Sequence, residues 1–345
     1  MKKVSASIAI IIGLVFLGVV PGALADDFYE GKNIRFIVGF AAGGGYDTYT
    51  RTIARHIGRH IPGSPETIVE NMTGAGSLIA ANHLYNRAEP DGLTVGVWNS
   101  GLILQQALGA KGVRFEGDKF GWIGAPVAGM PTCAVMAFTG LRTLDDVINS
   151  KKPLKMGATR AGSTTDDLPR ILNLTLGTKF EVISGYRGTA RIRLAMLKRE
   201  VDGACWGWES MRVTGRAMLD AAGEDELIPF VIHGHVEDPE VNDLPQITEV
   251  IKSEENRAIF RTWVRQYDFQ RPLSVPPGTP KERLATLRRA FKMTFEDPEF
   301  LADAKGSKLI IQHVSGQDIE GFVDDILETP TKVKESLQFL VKKAK

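Results

Sequence analysis

The sequence predicts an α/β protein built as two lobes. Short apolar stretches alternate with helical patterns through the first third of the chain, and the same alternation returns in the middle third. The 345 residues are enough for two domains. No Ser/Gly-rich spacer separates the two halves. We therefore expect strands or short crossings, rather than a flexible tether, to connect the lobes.

The first third should form a parallel sheet. Its predicted elements are a strand at 34–40, a helix that Asp47 caps and that runs to Ile61, a strand at 67–70, a helix at 77–85 and a strand at 93–98. A strand, helix, strand, helix, strand order implies parallel pairing with right-handed crossovers.

The rest of the chain continues this order and then becomes helical. The predicted elements of the middle third are helix 143–148, strand 154–158, helix 166–176, strand 180–183, helix 189–199, strand 201–205 and strand 228–233. A Pro- and acid-rich connection follows at 237–245. Later helices should start near Thr279, where an N-cap, a first-turn proline and a capping box coincide, and near Pro298, Ser315 and Thr331.

The first 25 residues have the pattern of a secretory signal peptide. Lys2 and Lys3 precede an apolar run at 8–20, and a small-x-small site ends at Ala25. The run is short for a spanning helix, which needs about 20 residues, and an uncleaved anchor is the alternative. No Cys stands at the cleavage point, and no later stretch is apolar enough to cross a bilayer. We expect an exported, soluble chain, cleaved after Ala25.

Composition argues against several partners and cofactors. The formal net charge is +1, so no concentrated basic face for nucleic acid is indicated. His56 and His60 stand four apart but are flanked by arginines, and His233 and His235 have no carboxylate or cysteine at ligand spacing. Gly-x-Ser-x-Gly and His-Glu-x-x-His motifs do not occur. We expect no metal, no cofactor and no catalytic residue.

The two cysteines, Cys133 and Cys205, leave two alternatives open. In an oxidising compartment they could form a disulfide. Both lie in apolar, strand-like stretches, and two cysteines do not make a disulfide framework. The sequence therefore favours two small buried side chains without a bond between them.

Three loops share one design: an apolar strand, then small or hydroxyl residues, then a helix start. They lie at 41–47, 99–101 and 159–165. Ligands in open α/β sheets sit beyond the carboxyl ends of the strands. Helix N-termini there present unpaired N–H groups that suit a carboxylate or a phosphate. A dinucleotide site is not indicated, because Thr48 stands where the fingerprint needs its third glycine. Simple strand-to-helix geometry is the other interpretation of such a turn.

Six motifs in chain order resemble those of one protein family. They are FIVGFAAGGGYD at 36–47, VENMTGAG at 69–76, PDGLT at 90–94, GYRGTA at 185–190, LPQITE at 244–249 and VPPGTP at 275–280. Together they span nearly the whole chain after the signal segment. The family that they resemble is the solute receptors of tripartite tricarboxylate transporters, also called the Bug or TctC family.

The resemblance implies an α/β fold of two Rossmann-like lobes with a ligand cleft between them, as in type II periplasmic binding proteins. Lobe one should comprise 26–130 and 236–345, and lobe two 131–235. The resemblance further implies that a monomer closes over a small organic carboxylate and delivers it to integral membrane permease subunits.

The predicted ligand-binding residues come from the loops of both lobes. Lobe one contributes Ala42, Gly43, Gly44, Gly45, Tyr46 and Asp47, together with Asn99 and Ser100. Lobe two contributes Thr159, Arg160, Ser163, Thr164, Tyr186, Arg187, Gly188 and Trp206.

Two segments that depart from the family pattern bear on the ligand: the loop that holds Arg160 and the stretch at 205–210. Arg160 could pair with a second carboxylate in a bidentate fork, or it could be a solvated surface arginine. Trp206 or Trp208 could stack on a flat ligand, or pack into the core of its own lobe. The sequence therefore allows a di- or tricarboxylate or an aromatic acid.

Two other functions fit the same fold. An extracytoplasmic sensory receptor would present the same ligand to a membrane signalling partner. An exported enzyme could use Asp47, Asp166 and Asp167 for acid–base chemistry, although carboxylates at helix starts are more often caps. We expect a transport receptor without catalytic activity.

Overall fold

The computed structural model describes residues 27–234 and 238–340. The predicted signal peptide, His235 and the first residue of the predicted connection at 237 lie outside the described residues. Within those two ranges no helix is long and apolar enough to cross a membrane. The same ranges contain no group of three or more His, Cys, Asp or Glu side chains that could hold a metal ion.

Strands and helices alternate along most of the chain. The strands are β1 (Asn33–Val38), β2 (Glu66–Asn71), β3 (Thr94–Val97), β4 (Gly121–Ala125), β5 (Pro131–Met136), β6 (Leu154–Ala158), β7 (Phe180–Ser184), β8 (Gly203–Gly207), β9 (Leu227–Ile232), β10 (Leu273–Val275) and β11 (Val314–Ser315). The α-helices are α1 (Gly45–Ile57), α2 (Leu78–Asn86), α3 (Gly101–Ala107), α4 (Leu144–Ile148), α5 (Thr164–Leu176), α6 (Thr189–Leu197), α7 (Trp208–Thr214), α8 (Arg216–Leu219), α9 (Ile247–Val250), α10 (Glu254–Val264), α11 (Lys281–Glu296), α12 (Pro298–Gly306), α13 (Gly316–Leu327) and α14 (Thr331–Leu337).

The first sheet has six strands in the order β11-β4-β10-β3-β1-β2. Strands β2, β1 and β3 pair in parallel, which confirms the parallel pairing predicted for the first third. Strands β10, β4 and β11 extend the sheet with antiparallel pairs. The sequence did not predict β10 and β11, because strands of three and two residues are too short to show an alternating pattern.

The second sheet has five strands in the order β7-β6-β8-β5-β9. Strand β6 pairs in parallel with β7 and β8, whereas β5 is antiparallel to β8 and β9. Its strands come from the middle of the chain, and those of the first sheet come from both ends. Two mixed sheets joined in this way confirm the predicted α/β fold of two lobes. The exact lobe boundaries stay a prediction.

An aromatic cluster packs at β3 and β4 in the core of lobe one. The ring centroid of Trp98 lies 5.2 Å from that of Trp122 and 5.1 Å from that of Phe120. Trp98 is fully buried, and its Nε1 donates to Ser274 Oγ of β10 at 2.9 Å. Because a buried indole N–H needs an acceptor, this bond holds β3 beside β10 and fixes the start of the next loop.

Cys133 and Cys205 form a disulfide. They are direct partners in the antiparallel β5–β8 ladder, and both are fully buried. The sequence favoured two unpaired side chains, and that prediction is wrong. Whether two cysteines face each other depends on cross-strand register, which residue types in a sequence do not reveal.

Two predicted helix starts differ from the structure. Helix α1 has Gly44 as its N-cap, so Asp47 lies inside the first turn and does not cap the helix. Helix α11 begins at Lys281, and its predicted capping box is absent. There the Thr279 hydroxyl donates to Pro276 O at 2.9 Å and is engaged in the preceding turn.

Candidate functional site

The loops at the carboxyl ends of the strands meet where the two lobes touch. Tyr267 Oη, just before β10, donates to Thr164 Oγ1 at the start of α5 across 2.7 Å. Asn99 Nδ2, after β3, donates to Gly162 O, after β6, at 3.4 Å. These contacts place the segment before β10 and the loop after β3 against the loop after β6. The loop after β1 lies beside the loop after β3, because β1 and β3 are parallel neighbours. We call the region between the loops of the two lobes the interlobe cleft.

The glycine loop, residues 41–45, is exposed at the end of β1. The buried side chain of Asp47, which is 3% exposed, lies beneath the loop and bonds to it. One carboxylate oxygen of Asp47 accepts from Gly43 N at 2.9 Å, and both accept from Arg51 Nε at 2.9 and 3.0 Å. Asn71 Nδ2 donates to Asp47 Oδ1 at 2.9 Å. The carboxylate is saturated by protein donors, so this geometry assigns Asp47 to supporting the loop.

The pKa of Asp47 agrees with this supporting role. Burial by itself raises the pKa of this carboxyl, but hydrogen bonds from Arg51, the Gly43 amide and Asn71 outweigh it and hold the pKa below its ordinary value. Asp47 is therefore charged at neutral pH. It is not arranged as a free acid or base.

The first turn of α1 offers free backbone donors beside the exposed loop. Thr48 N–H is the first amide of the helix with a carbonyl acceptor, Gly44 O at 2.9 Å. The amides of Gly45, Tyr46 and Asp47 precede it and have no helical carbonyl to bond. Together with the positive end of the helix dipole, they form a site suited to an anion. The predicted residues Ala42 and Gly44 lie in the exposed part of the same loop.

Tyr46 forms one wall of the site. Its ring stacks on Phe40 with centroids 4.1 Å apart, and its side chain is partly exposed. Burial raises the pKa of Tyr46 to about 12; nearby Arg271 opposes this and Glu209 adds to it. The hydroxyl therefore stays protonated and can donate a hydrogen bond.

The loops after β1, β2 and β3 are locked together. A Cβ on Gly39 would lie 2.2 Å from Ser77 Cβ, so only glycine permits this approach. Ser77 Oγ in turn accepts from Asn99 N at 2.9 Å. Ser100 is fully buried, and its Oγ accepts from Gln270 Nε2 at 2.8 Å. Asn99 thus reaches the cleft, whereas Ser100 is engaged inside lobe one.

The lobe-two loop, residues 159–163, repeats the design of the glycine loop. Gly162 N donates to Asp167 Oδ1 at 2.9 Å, as Gly43 N does to Asp47. Thr159 Oγ1 donates to Ser163 Oγ at 2.8 Å. In both lobes an aspartate carboxyl group from the first turn of the next helix therefore accepts a hydrogen bond from a glycine amide of the loop.

Arg160 spans the cleft. Its guanidinium lies against the backbone of Gly76 in lobe one, where a Cβ would be 0.8 Å from Nη2. The side chain is partly exposed. Burial lowers the pKa of Arg160, and nearby Asp167 opposes this. No residue in 27–234 or 238–340 forms an ion pair with it. The structure thus brings a charged, unpaired guanidinium into the cleft.

The predicted loop after β7 lies beside the lobe-two loop. Tyr186 N donates to Ala158 O at 3.2 Å, and its partly buried ring packs against the apolar cluster of lobe two. Gly188 has a φ of 107°, which suits glycine, and it is the N-cap of α6. Arg187 is exposed. The loop is therefore near the cleft, and Arg187 is an exposed residue of it.

The two tryptophans of β8 and α7 are buried. Trp206 is 3% exposed, and it packs in the apolar cluster of lobe two. Trp208 is fully buried, and its Nε1 donates to Asp238 Oδ2 at 2.9 Å. The burial favours packing over ligand stacking for both side chains, so we leave Trp206 out of the proposed site.

Sequence reasoning missed a buried ion pair between the lobes. Arg271 Nη2, just before β10, lies 3.3 Å from Glu209 Oε1 in α7, and the two side chains are 7% and 5% exposed. The guanidinium also lies 4.6 Å from the ring centroid of Tyr49. No local pattern marks these residues, which are 62 positions apart; only the tertiary fold brings them together.

Asp167 should make stability depend on pH. Burial raises its pKa to about 8 from 3.8, with the Gly162 amide opposing and Asp166 adding to the rise. The native state therefore holds a proton that the unfolded chain has lost, so stability falls as pH rises from about 4 to about 8. Asp167→Asn should raise the free energy of unfolding at pH 8 by about 2–4 kcal/mol and change it little at pH 4.

Urea denaturation of both proteins at several pH values measures this effect. The wild-type and D167N stabilities should diverge steadily between the two ends of that pH window. Two curves that stay parallel across the window would show that Asp167 titrates normally.

Comparisons with known proteins agree with this architecture. The family model described as tripartite tricarboxylate transporter family receptor, TctC, matches residues 51–338. A UPF0065 protein of Agrobacterium vitis is 26% identical over 192 residues, which are 53% of this chain and 53% of that protein. The match thus spans about half the length of that curated relative.

Solved structures share the fold over nearly the whole chain. MatC of Rhodopseudomonas palustris, with bound malate, is 20% identical with a TM-score of 0.65, and 90% of this chain and 99% of that chain are covered. Rpa4515 of R. palustris, with adipate, is 17% identical with a TM-score of 0.69, and 89% and 97% are covered. At these identities the likeness concerns the fold. Because the family model covers well over half of the chain, the protein belongs to the receptor family of the tripartite tricarboxylate transporters, TctC.

Proposed function

We propose that this protein binds an organic acid in the interlobe cleft, in the periplasm, and delivers it to the permease subunits of a tripartite tricarboxylate transporter. The observation that carries the proposal is the start of α1. An exposed glycine loop, held by Asp47, precedes a helix of 13 residues whose first-turn amides have no helical acceptor. Such a helix end attracts and holds a carboxylate.

The proposed ligand class is a di- or tricarboxylate. Two proteins of similar fold were solved with dicarboxylates, malate and adipate. In this chain Arg160 extends from lobe two across the cleft and places a guanidinium without an ion-pair partner among the described residues beside Gly76 of lobe one. A diacid could place one carboxylate on the α1 amides and the other on Arg160. An aromatic acid is less well supported, because Trp206 and Trp208 are buried.

Ligand contacts from both lobes would drive closure. A ligand held by α1 of lobe one and by Arg160, a residue of lobe two, stabilises the arrangement in which the lobes touch. The hydrogen bonds from Tyr267 to Thr164 and from Asn99 to Gly162 belong to that arrangement. Export with cleavage after Ala25 is part of the same proposal.

Calorimetric titration tests the binding function. We expect at least one of malate, adipate, citrate and benzoate to bind with micromolar or tighter affinity, and nuclear magnetic resonance should recover the acid unchanged. Failure of all four acids to bind folded protein would contradict the proposal. Chemical conversion of a bound acid would point to the enzyme alternative instead.

Arg160→Gln should weaken adipate binding roughly 10- to 100-fold, because a hydrogen bond between charged groups is lost. Binding of adipamate, the monoamide of adipate, should change by less than about threefold, since its amide end gains little from a guanidinium charge. Calorimetry with both ligands measures the two effects.

Arg191→Gln is the matched control, because Arg191 is an exposed arginine of α6. It should leave both affinities unchanged. Equal losses for adipate and adipamate in R160Q would show that Arg160 supports the structure of the cleft and does not read a second carboxylate.

A further inference from the structure

Arg271 is buried between the lobes, and two of its guanidinium nitrogens have no hydrogen-bond acceptor among the described residues. Its side chain is 7% exposed, and Nη2 donates to Glu209 Oε1 at 3.3 Å. Nε and Nη1 are buried, and no described residue accepts a hydrogen bond from either. Buried donors of a charged group are costly to leave unpaired. An arginine with only a structural role would be expected to have acceptors for these atoms.

The unpaired guanidinium stands beside the first turn of α1. A Cβ on Gly45 would lie 3.3 Å from Arg271 Nη2 and 3.6 Å from its Nε. The rings of Tyr46 and Tyr49 flank the guanidinium, with centroids 5.5 and 4.6 Å away. The side chain therefore adjoins the same helix end whose amides lack carbonyl acceptors.

The charge of Arg271 is only weakly satisfied. Among the described residues its ion-pair partner is Glu209, whose Oε1 lies 3.3 Å from Arg271 Nη2. Glu209 Oε2 also accepts a hydrogen bond from Met130 N at 3.3 Å. Both distances exceed the roughly 2.7–2.9 Å of a strong charge-assisted bond. Since Glu209 belongs to the other lobe, opening of the cleft would separate the pair.

We propose that Arg271 binds the carboxylate that the first-turn amides of α1 attract. The inference rests on the proposed function and assigns it a charged ligand-binding residue. The incoming carboxylate accepts hydrogen bonds from the guanidinium and from the α1 amides, so the unpaired donors gain acceptors as the lobes meet. Glu209 orients the guanidinium from the opposite lobe and competes with the ligand for it.

Arg271 and Arg160 should therefore bind the carboxylates at different ends of a diacid. Adipate and adipamate share the carboxylate that binds at α1, so Arg271→Met should weaken both by about 30-fold or more. Arg160→Gln should weaken adipate only. Arg271→Lys keeps the charge without the fork, and it should restore part of the loss.

The Glu209→Gln variant distinguishes two roles of Arg271: binding the ligand, or only joining the two lobes through its ion pair with Glu209. If Arg271 binds the ligand, neutralising Glu209 removes a competing anion, and adipate should bind as tightly as to wild type or more tightly. If the ion pair only latches the lobes, E209Q and R271M should weaken binding equally. Calorimetry gives the affinities, and thermal melts show whether each variant is folded.

The affinities of the R271M and E209Q variants decide whether Arg271 binds the ligand. A large loss for both ligands in folded R271M, with adipate affinity kept in E209Q, supports the inference. Unchanged adipate affinity in R271M, or equal losses in R271M and E209Q, overturns it and leaves the proposed function standing. If the folded wild-type protein binds none of the acids, the proposed function fails and this inference fails with it.

Discussion

Asp47→Ala is expected to lower the free energy of unfolding by about 2–4 kcal/mol and to weaken acid binding about 10- to 100-fold. The substitution removes the acceptor of Gly43 N and of Asn71 Nδ2 at a position that is 3% exposed. A hydrogen bond to a charged group contributes about 1.5–3 kcal/mol, and water replaces part of this contribution because Gly43 and Asn71 are exposed residues. Arg51 loses its partner too, but its side chain is 41% exposed and water can replace the carboxylate.

The loss of affinity has a separate cause. Without the bond from Gly43 to Asp47, the exposed glycine loop must be ordered by the ligand itself, and the free energy of that ordering is taken from binding. Urea denaturation and calorimetry with adipate measure the two effects. Asp145→Ala is the control, because Asp145 also lies in a first turn but is exposed. Wild-type adipate affinity in folded D47A would refute the supporting role.

Loss of the Cys133–Cys205 disulfide is expected to lower the free energy of unfolding by about 2–4 kcal/mol. The bond joins residues 72 positions apart, and in the chain-entropy account a long closed loop strongly restricts the unfolded chain. The double variant C133A/C205A should show this loss in urea denaturation. Its adipate affinity should stay within about threefold of wild type, since the bond lies inside the β5–β8 ladder.

Two controls accompany the disulfide prediction. Alkylation of the unfolded wild-type protein without reductant, followed by mass spectrometry, should find no free thiol. Reductant added during denaturation should move the wild-type transition towards that of the double variant. A transition that is insensitive to reductant, together with two alkylated cysteines, would contradict the bond.

The parts of the fold that could be predicted are those with a local signal. Strands β1, β2 and β3 with their helices show apolar periodicity and glycine turns over short windows, and their parallel pairing follows from that order. Strands β10 and β11 are too short to show such a pattern. The disulfide also escaped prediction, because it depends on how β5 and β8 are aligned.

The candidate site also contains residues that local sequence predicts and residues that only the tertiary fold reveals. The glycine loop and Arg160 were identified from neighbouring residues, because a strand, a small-residue turn and a helix start are adjacent in sequence. The predicted helix-capping role of Asp47 was wrong, because the N-cap is Gly44, and only the folded loop shows which amide the carboxylate holds. The Arg271–Glu209 pair could not be foreseen, since its members come from different lobes.

A crystal structure of the protein with the tightest-binding acid of the panel would show whether the start of α1 holds the ligand. We expect a carboxylate between the lobes, with an oxygen about 3 Å from the amide nitrogens of Gly45 or Tyr46. A bound acid whose carboxylates all lie away from the first turn of α1, or an acid seated outside the cleft, would contradict it.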